Sequence, residues 1–156
     1  LQAATFRLRA PAKIRMMLSR RGNVAIEVTP LPATPDTPVA VALAPLPVDP
    51  TDWRLRHKST QRRFYDTARK DAGTFEVAFT APDGTLTEGS FTNLFVERDG
   101  QLLTPPLADT GLLLGVLRRE LIDQGRAIET PLTPADLNEG FYIGNSLRGL
   151  IAAKFV

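Results

Sequence analysis

The chain carries fifteen arginines and four lysines, and one of those lysines, Lys58, stands in "RHKSTQRRFYD" (56–66) beside Arg56, Arg62 and Arg63. An arginine stays protonated at every accessible pH. A lysine amine can be made neutral by burial or by neighbouring cations, and it can then attack a carbonyl carbon and form a Schiff base. The surrounding arginines would lower its pKa by like-charge repulsion. On its own Lys58 reads either as that nucleophile or as a solvated charge on a polar segment. Glu88, in "TEGSFTNLFV" (87–96), precedes Phe91, Leu94 and Phe95, whose apolar character implies burial. A buried carboxylate needs a cationic or hydrogen-bonding partner, and a protonated pyridine nitrogen is one. The plainer reading is a carboxylate in water at a strand end. Asn93 reads equally as a turn or bulge amide bonded to backbone.

Two further stretches could bind anions. In "LLLGVLRREL" (112–121) Gly115 opens a helix with no acidic residue before Glu120. The backbone N–H groups of Val116 and Leu117 are therefore free to hold a phosphate, unless this is an ordinary amphipathic helix. In "IGNSLRGL" (143–150) Gly144, Asn145 and Ser146 form a polar turn, and Arg148 could grip a carboxylate with two parallel bonds. A plain surface turn would look the same.

The elements that must carry these residues can be read from pattern. "KIRMMLSRRGNVAIEVTPL" (13–31) has two β-prone runs around "RRGN", a hairpin signal. Between Pro30 and Pro50 stand seven prolines, which exclude a helix and leave Val39–Pro45 as a short strand. Ser59 to Lys70 can hold a helix, with Phe64 and Ala68 on one face. "TFEVAFT", "TLTEGS" and "TNLFVERDGQLLT" then read as consecutive strands joined by turns at "PDG" and "RDG". Gly115 to Gly125 is the clearest helix, with Gly125 as its stop. The strand "AIETPL" follows. "TPAD" (133–136) matches a capping box opening a short helix, and "GFYIGNSLRG" closes as a strand running into a turn. The order predicts an α/β (α+β) domain.

Composition narrows the function classes. With 156 residues, 43% hydrophobic and 23% charged, the chain reads as a globular protein able to bury a core. A net charge of +2, with no long basic run, gives no reason to expect nucleic acid. No apolar run approaches the ~18 residues of a membrane helix. There is no cysteine and a single histidine, His57, so thiolate chemistry and a histidine-based zinc site are excluded. A cytoplasmic location is the default expectation. The chain starts at Leu1 in mid-pattern, so a longer parent polypeptide is expected.

Together, Lys58, "EGSFTNLF", "LLTPPL", "LLLGVLR" and "YIGNSLRG" resemble the fold-type-IV pyridoxal-phosphate enzymes, the class IV aminotransferase family. Its members include branched-chain and D-amino-acid aminotransferases and aminodeoxychorismate lyase. The likeness covers the chain from about Val39 to its end. It implies a D-amino-acid-aminotransferase-like fold: a cofactor-binding large domain over 35–156, preceded by the end of a small N-terminal domain over 1–34. It also implies pyridoxal 5'-phosphate as cofactor. Lys58 would be the Schiff-base lysine and proton carrier, and Glu88 the partner of the ring nitrogen. Arg62 and Asn93 would line the cofactor site. Gly115, Val116 and Leu117, with Asn145 and Ser146, would hold the phosphate, and Arg148 would face a substrate carboxylate. A homodimer, and a fused or associated aminodeoxychorismate synthase, are implied as partners.

Within the family, "HKSTQRRFYD" and "GNSLRGL" are most similar to the lyase, which converts 4-amino-4-deoxychorismate to 4-aminobenzoate and pyruvate. Lyases tend to carry K-x-x-[ND]-R; Gln61 departs from that pattern and Arg62 matches it. Aminotransferases more often show a Gly-Thr turn where this chain has Gly144-Asn145-Ser146. A branched-chain or D-amino-acid aminotransferase is the alternative enzyme, and a non-catalytic interaction domain is the alternative outside enzymes. The resemblance also implies a phosphate-binding Arg from the small domain that these residues do not supply.

Overall fold

A computed structural model describes residues 5–107 and 111–156; residues 1–4 of the expected N-terminal remnant lie outside them. The chain divides into two compact units, 1–34 and 35–156. In the first, β1 (Ala12–Leu18) pairs antiparallel with β2 (Val24–Pro30). The turn between them closes through a Ser19 N–H to Asn23 carbonyl bond of 2.9 Å, with Gly22 at φ +82°, a backbone state that side-chain-bearing residues rarely adopt.

The second unit runs β3 (Val39–Pro45), α1 (Trp53–Arg56), α2 (Arg63–Ala72), β4 (Glu76–Thr80), β5 (Leu86–Gly89), β6 (Asn93–Arg98), β7 (Gln101–Thr104), α3 (Val116–Asp123), β8 (Ala127–Glu129), β9 (Phe141–Asn145) and β10 (Gly149–Phe155). Its eight strands form one sheet in the order β5-β4-β3-β10-β9-β6-β7-β8. The β3–β4, β3–β10 and β7–β8 pairs are parallel and the others antiparallel.

Side chains alternate across a strand, and here the alternation feeds three apolar clusters. Val41, Ala78, Leu94, Leu103, Ile143 and Ile151 point to one side, where the sheet curls around a common core closed by Leu132 and Leu137. On the other side Val77 and Phe79 meet Leu55, Tyr65, Phe64 and Ala68 of α1 and α2. Further along that side, Phe95 and Leu102 meet Leu121 of α3. The sheet is thus covered by one helix pair over β3 and β4 and by one helix over β6 and β7.

Several boundaries differ from the sequence expectation. The helix foreseen over Ser59–Lys70 starts only at Arg63. Before it, Ser59 Oγ accepts the Gln61 N–H at 3.2 Å, the local bond by which serine competes with helix formation. The expected short helix at Thr133 is a 3-10 turn, Pro134–Leu137, with both capping-box bonds formed. The closing turn leads into β10, a strand not foreseen, which joins β9 to β3. Helix α3 stops as expected, with Gly125 at φ +68°.

The β5–β6 connection depends on a second buried acid, Glu76, at the start of β4. Its carboxylate accepts the backbone N–H groups of Val77, Ser90 and Phe91 and the hydroxyls of Ser90 and Thr92. A methyl on Gly89 would stand 2.5 Å from Thr92 Oγ1 and 2.8 Å from Glu76 Oε2, so the glycine after Glu88 is required sterically. Replacing Glu76 by Gln would turn an amide N–H₂ toward at least one backbone N–H, which cannot accept, whichever way the amide is oriented. Glu76→Gln is expected to cost about 3 kcal/mol and to lower Tm by roughly 6–12 °C. Thermal unfolding followed by circular dichroism measures this; an unchanged Tm would show that the turn does not need the acid.

Candidate active site

Glu88 lies within β5, 3% exposed, one residue before the turn that Glu76 holds. The strand read over "TLTEGS" is β5, Leu86–Gly89, and it contains Glu88. Its Oε1 accepts from Arg62 Nη2 at 3.0 Å and from the Tyr65 hydroxyl at 2.8 Å. Its Oε2 accepts the Leu113 backbone N–H at 3.0 Å. Burial pushes the carboxyl up to about 7, against the opposing pull of Arg62, the Leu113 N–H, Tyr65 and Lys58.

Lys58 sits in the stretch between α1 and α2 and is exposed. Protein nonetheless crowds its amine enough that lost hydration is the first cause lowering its pKa. The Arg62 charge is the second cause, and Glu88 opposes both. The amine and the acid therefore feel each other, and Arg62 stands in the field of both. An open cleft of about 530 Å³ lies beside α3, lined by Gly115 and Val116 but by neither Lys58 nor Glu88. Arg62, ion-paired to Glu88, occupies the space against the acid.

The other motif pieces converge on this acid through backbone contacts. Asn93 Nδ2 donates to the Leu113 carbonyl at 3.2 Å, so the backbone of residue Leu113 is held by Glu88 at its N–H and by Asn93 at its C=O. Two residues on, Gly115 caps α3; a methyl there would fall 1.9 Å from Asn93 Oδ1. Between Leu113 and Val116 the chain can extend at most about 10 Å, which keeps the free N–H groups opening α3 near the acid. Asn93 pairs in register with Gly144 of β9, and a methyl on Gly144 would meet Leu117 Cδ2 at 2.8 Å. Close approach of backbone explains all three motif glycines, Gly89, Gly115 and Gly144.

Asn145 is a turn former: its Oδ1 accepts the N–H groups of Leu147 and Arg148, and its Nδ2 donates to the Phe91 carbonyl at 3.2 Å. Ser146 is exposed and Arg148 half-buried. Asn93 and Asn145 thus use their amides to join strands and loops rather than pointing them outward.

Sequence reasoning missed three contributors. Tyr65 lies one helical turn after Arg62, and that i, i+3 spacing is the signal that could have found it. Leu113 acts through its backbone, which side-chain identity does not reveal. Arg118 is buried in α3, donating to the Pro105 carbonyl at 2.7 Å and pairing with Glu129, so it fixes the helix to the segment after β7.

A lysine amine with a lowered pKa, a buried acid within its field and a helix N-terminus tied to that acid are brought together by the fold. The family model for amino-transferase class IV matches residues 1–155, and the chain belongs to that family. A Schizosaccharomyces pombe protein with the provisional name aminodeoxychorismate lyase is 30% identical over 120 residues, 73% of this chain and 52% of its own. A Mesorhizobium loti crystal structure, provisionally described as an amino-acid aminotransferase, is 38% identical with a TM-score of 0.90, covering 99% of this chain and 78% of that one. A hypothetical aminotransferase from Mycobacterium tuberculosis, with α-ketoglutarate and PMP bound, shares the fold at 21% identity and a TM-score of 0.83, over 99% of this chain and 64% of that one. The chain spans about half the length of the yeast relative.

The raised carboxyl has a measurable consequence. Glu88 titrates near 7 when folded, against an ordinary value of 4.5. Between those values the folded chain binds more protons than the unfolded one, so stability is fully present below pH 4.5 and is lost as pH rises through 7. The expected loss is roughly 3 kcal/mol. Urea unfolding at a series of pH values should show this slope in the native chain and not in Glu88→Gln. Parallel curves would mean that Glu88 is already ionised at pH 5.

Proposed function

We propose that this chain forms the cofactor-binding part of a pyridoxal-phosphate enzyme, and that the reaction is the lyase conversion of 4-amino-4-deoxychorismate to 4-aminobenzoate and pyruvate. The observation that carries the cofactor reading is a buried Glu88 carboxyl, held by Arg62, Tyr65 and the Leu113 N–H, within the electrostatic field of the Lys58 amine. A buried carboxyl pushed up to about 7 lacks enough positive charge around it. Among the described residues its Oε2 has a single donor, which leaves one acceptor position for an N–H. Beside it, the buried Arg62 Nε has no hydrogen-bond partner among the described residues. An unfilled acceptor next to an unfilled donor fits a protonated ring nitrogen with polar substituents.

When bound, pyridoxal phosphate supplies an electron sink for the carbon that loses its proton. The residues have the following parts in this reading. Lys58 would provide the amine that holds the group and the base that takes the proton from the substrate's reacting carbon. Glu88 keeps a proton on the ring nitrogen. Arg62 and Asn93 line the site, Arg62 from beside the acid and Asn93 by fixing the loop that leads to α3. The N–H groups of Val116 and Leu117, behind Gly115, hold the phosphate with the Asn145–Ser146 turn. Arg148 faces a substrate carboxylate.

Support for the lyase comes from the Lys58-to-Arg62 spacing, from the Gly144-Asn145-Ser146 turn and from the yeast relative. The Mesorhizobium loti structure, at 38% identity, favours amino-acid transamination as the second reading. The full-length protein separates them. Release of pyruvate and 4-aminobenzoate with no keto-acid acceptor is the lyase result; dependence on 2-oxoglutarate and an amino acid is the aminotransferase result. In either case borohydride should fix the visible chromophore on Lys58, and Lys58→Ala should lose that label and roughly 10³-fold of the rate. A chain with no chromophore to trap would sink both enzyme readings.

A further inference from the structure

We infer that Tyr65 is a positioning residue for Glu88, fixing which carboxylate oxygen faces the bound group and keeping the acid ionised; this rests on the reading of Glu88 as the partner of a ring nitrogen. Tyr65 is 1% exposed. Its ring stacks on Phe79 with centroids 4.8 Å apart and meets Phe64 edge-on at 4.6 Å. The Arg62 guanidinium also lies over it, 4.5 Å from the centroid. Held this way, the phenol has little freedom to aim its O–H anywhere but at Glu88 Oε1, 2.8 Å away.

That bond decides how the acid is used. Arg62 and Tyr65 together occupy Oε1, so among the described residues the acceptor position left is on Oε2, the oxygen tied to the loop that opens α3. An O–H donated to a carboxylate stabilises its charged form. The groups facing Glu88 are Arg62, Lys58, the Leu113 N–H and Tyr65. Arg62 and Lys58 act by charge; Tyr65 acts by its hydrogen bond alone. Burial first, then the charge of Glu88 and the bond they share, raise the Tyr65 pKa far above the ordinary phenol value, so it remains a donor at any working pH.

Tyr65→Phe removes the hydroxyl and keeps the ring. In the cofactor-free protein, the Glu88 carboxyl, followed by carbon-13 NMR and assigned with Glu88→Gln, should titrate about one pH unit higher in Tyr65→Phe, the equivalent of about tenfold in proton affinity. On reconstitution the variant should bind pyridoxal phosphate about tenfold more weakly while borohydride still labels Lys58. Phe79→Leu is the control: it loosens the ring packing and should lower Tm while leaving the Glu88 midpoint in place. A Tyr65→Phe protein that loses stability with an unmoved midpoint overturns the inference. So does a moved midpoint with unchanged cofactor affinity. Should the native chain fail to label at Lys58, the cofactor reading fails by itself, and the midpoint alone then decides whether Tyr65 holds the acid charged.

Discussion

A carboxylate taken out of water must be met by donors, and at Glu88 that requirement assembles the site. Desolvating an ionised acid costs more than most single contacts can return. The donors come from well-separated parts of the chain: Arg62 and Tyr65 at the start of α2, and Leu113 ahead of α3. Each must be brought to one end of β5, which fixes where both helices enter and where the β6 and β9 strand ends lie.

Two buried acids stand close in the fold with opposite tasks. Glu76 accepts from five donors, which fill its lone pairs and leave it purely architectural. Glu88 accepts from three and keeps a position open. The number of donors, more than the depth of burial, distinguishes a residue that holds the protein together from one able to hold something else.

Much of this was legible in the sequence. The Lys58–Arg62 segment, the Glu88-to-Asn93 run and Gly115 stand out because residue type and spacing there are constrained by local backbone. The strands β4 to β8 and helix α3 follow from alternation and from their glycine and proline boundaries. What could not be read depends on partners distant in sequence. Glu76 looks like a polar residue opening a strand until the turn at Ser90–Thr92 folds over it. Tyr65 looks like an aromatic on a helix face until β5 brings Glu88 to its hydroxyl. The strand β10 hides in "LIAAKF" because its identity comes from parallel pairing with β3, more than a hundred residues earlier. Asn93 and Asn145 were legible as important, yet their amides serve the scaffold.

The backbone of residue Leu113, gripped by Glu88 at its N–H and by Asn93 at its C=O, works as a short tie-rod. Strain at the mouth of α3 passes along it to the β5 acid, and a shift of that acid pulls back on the helix.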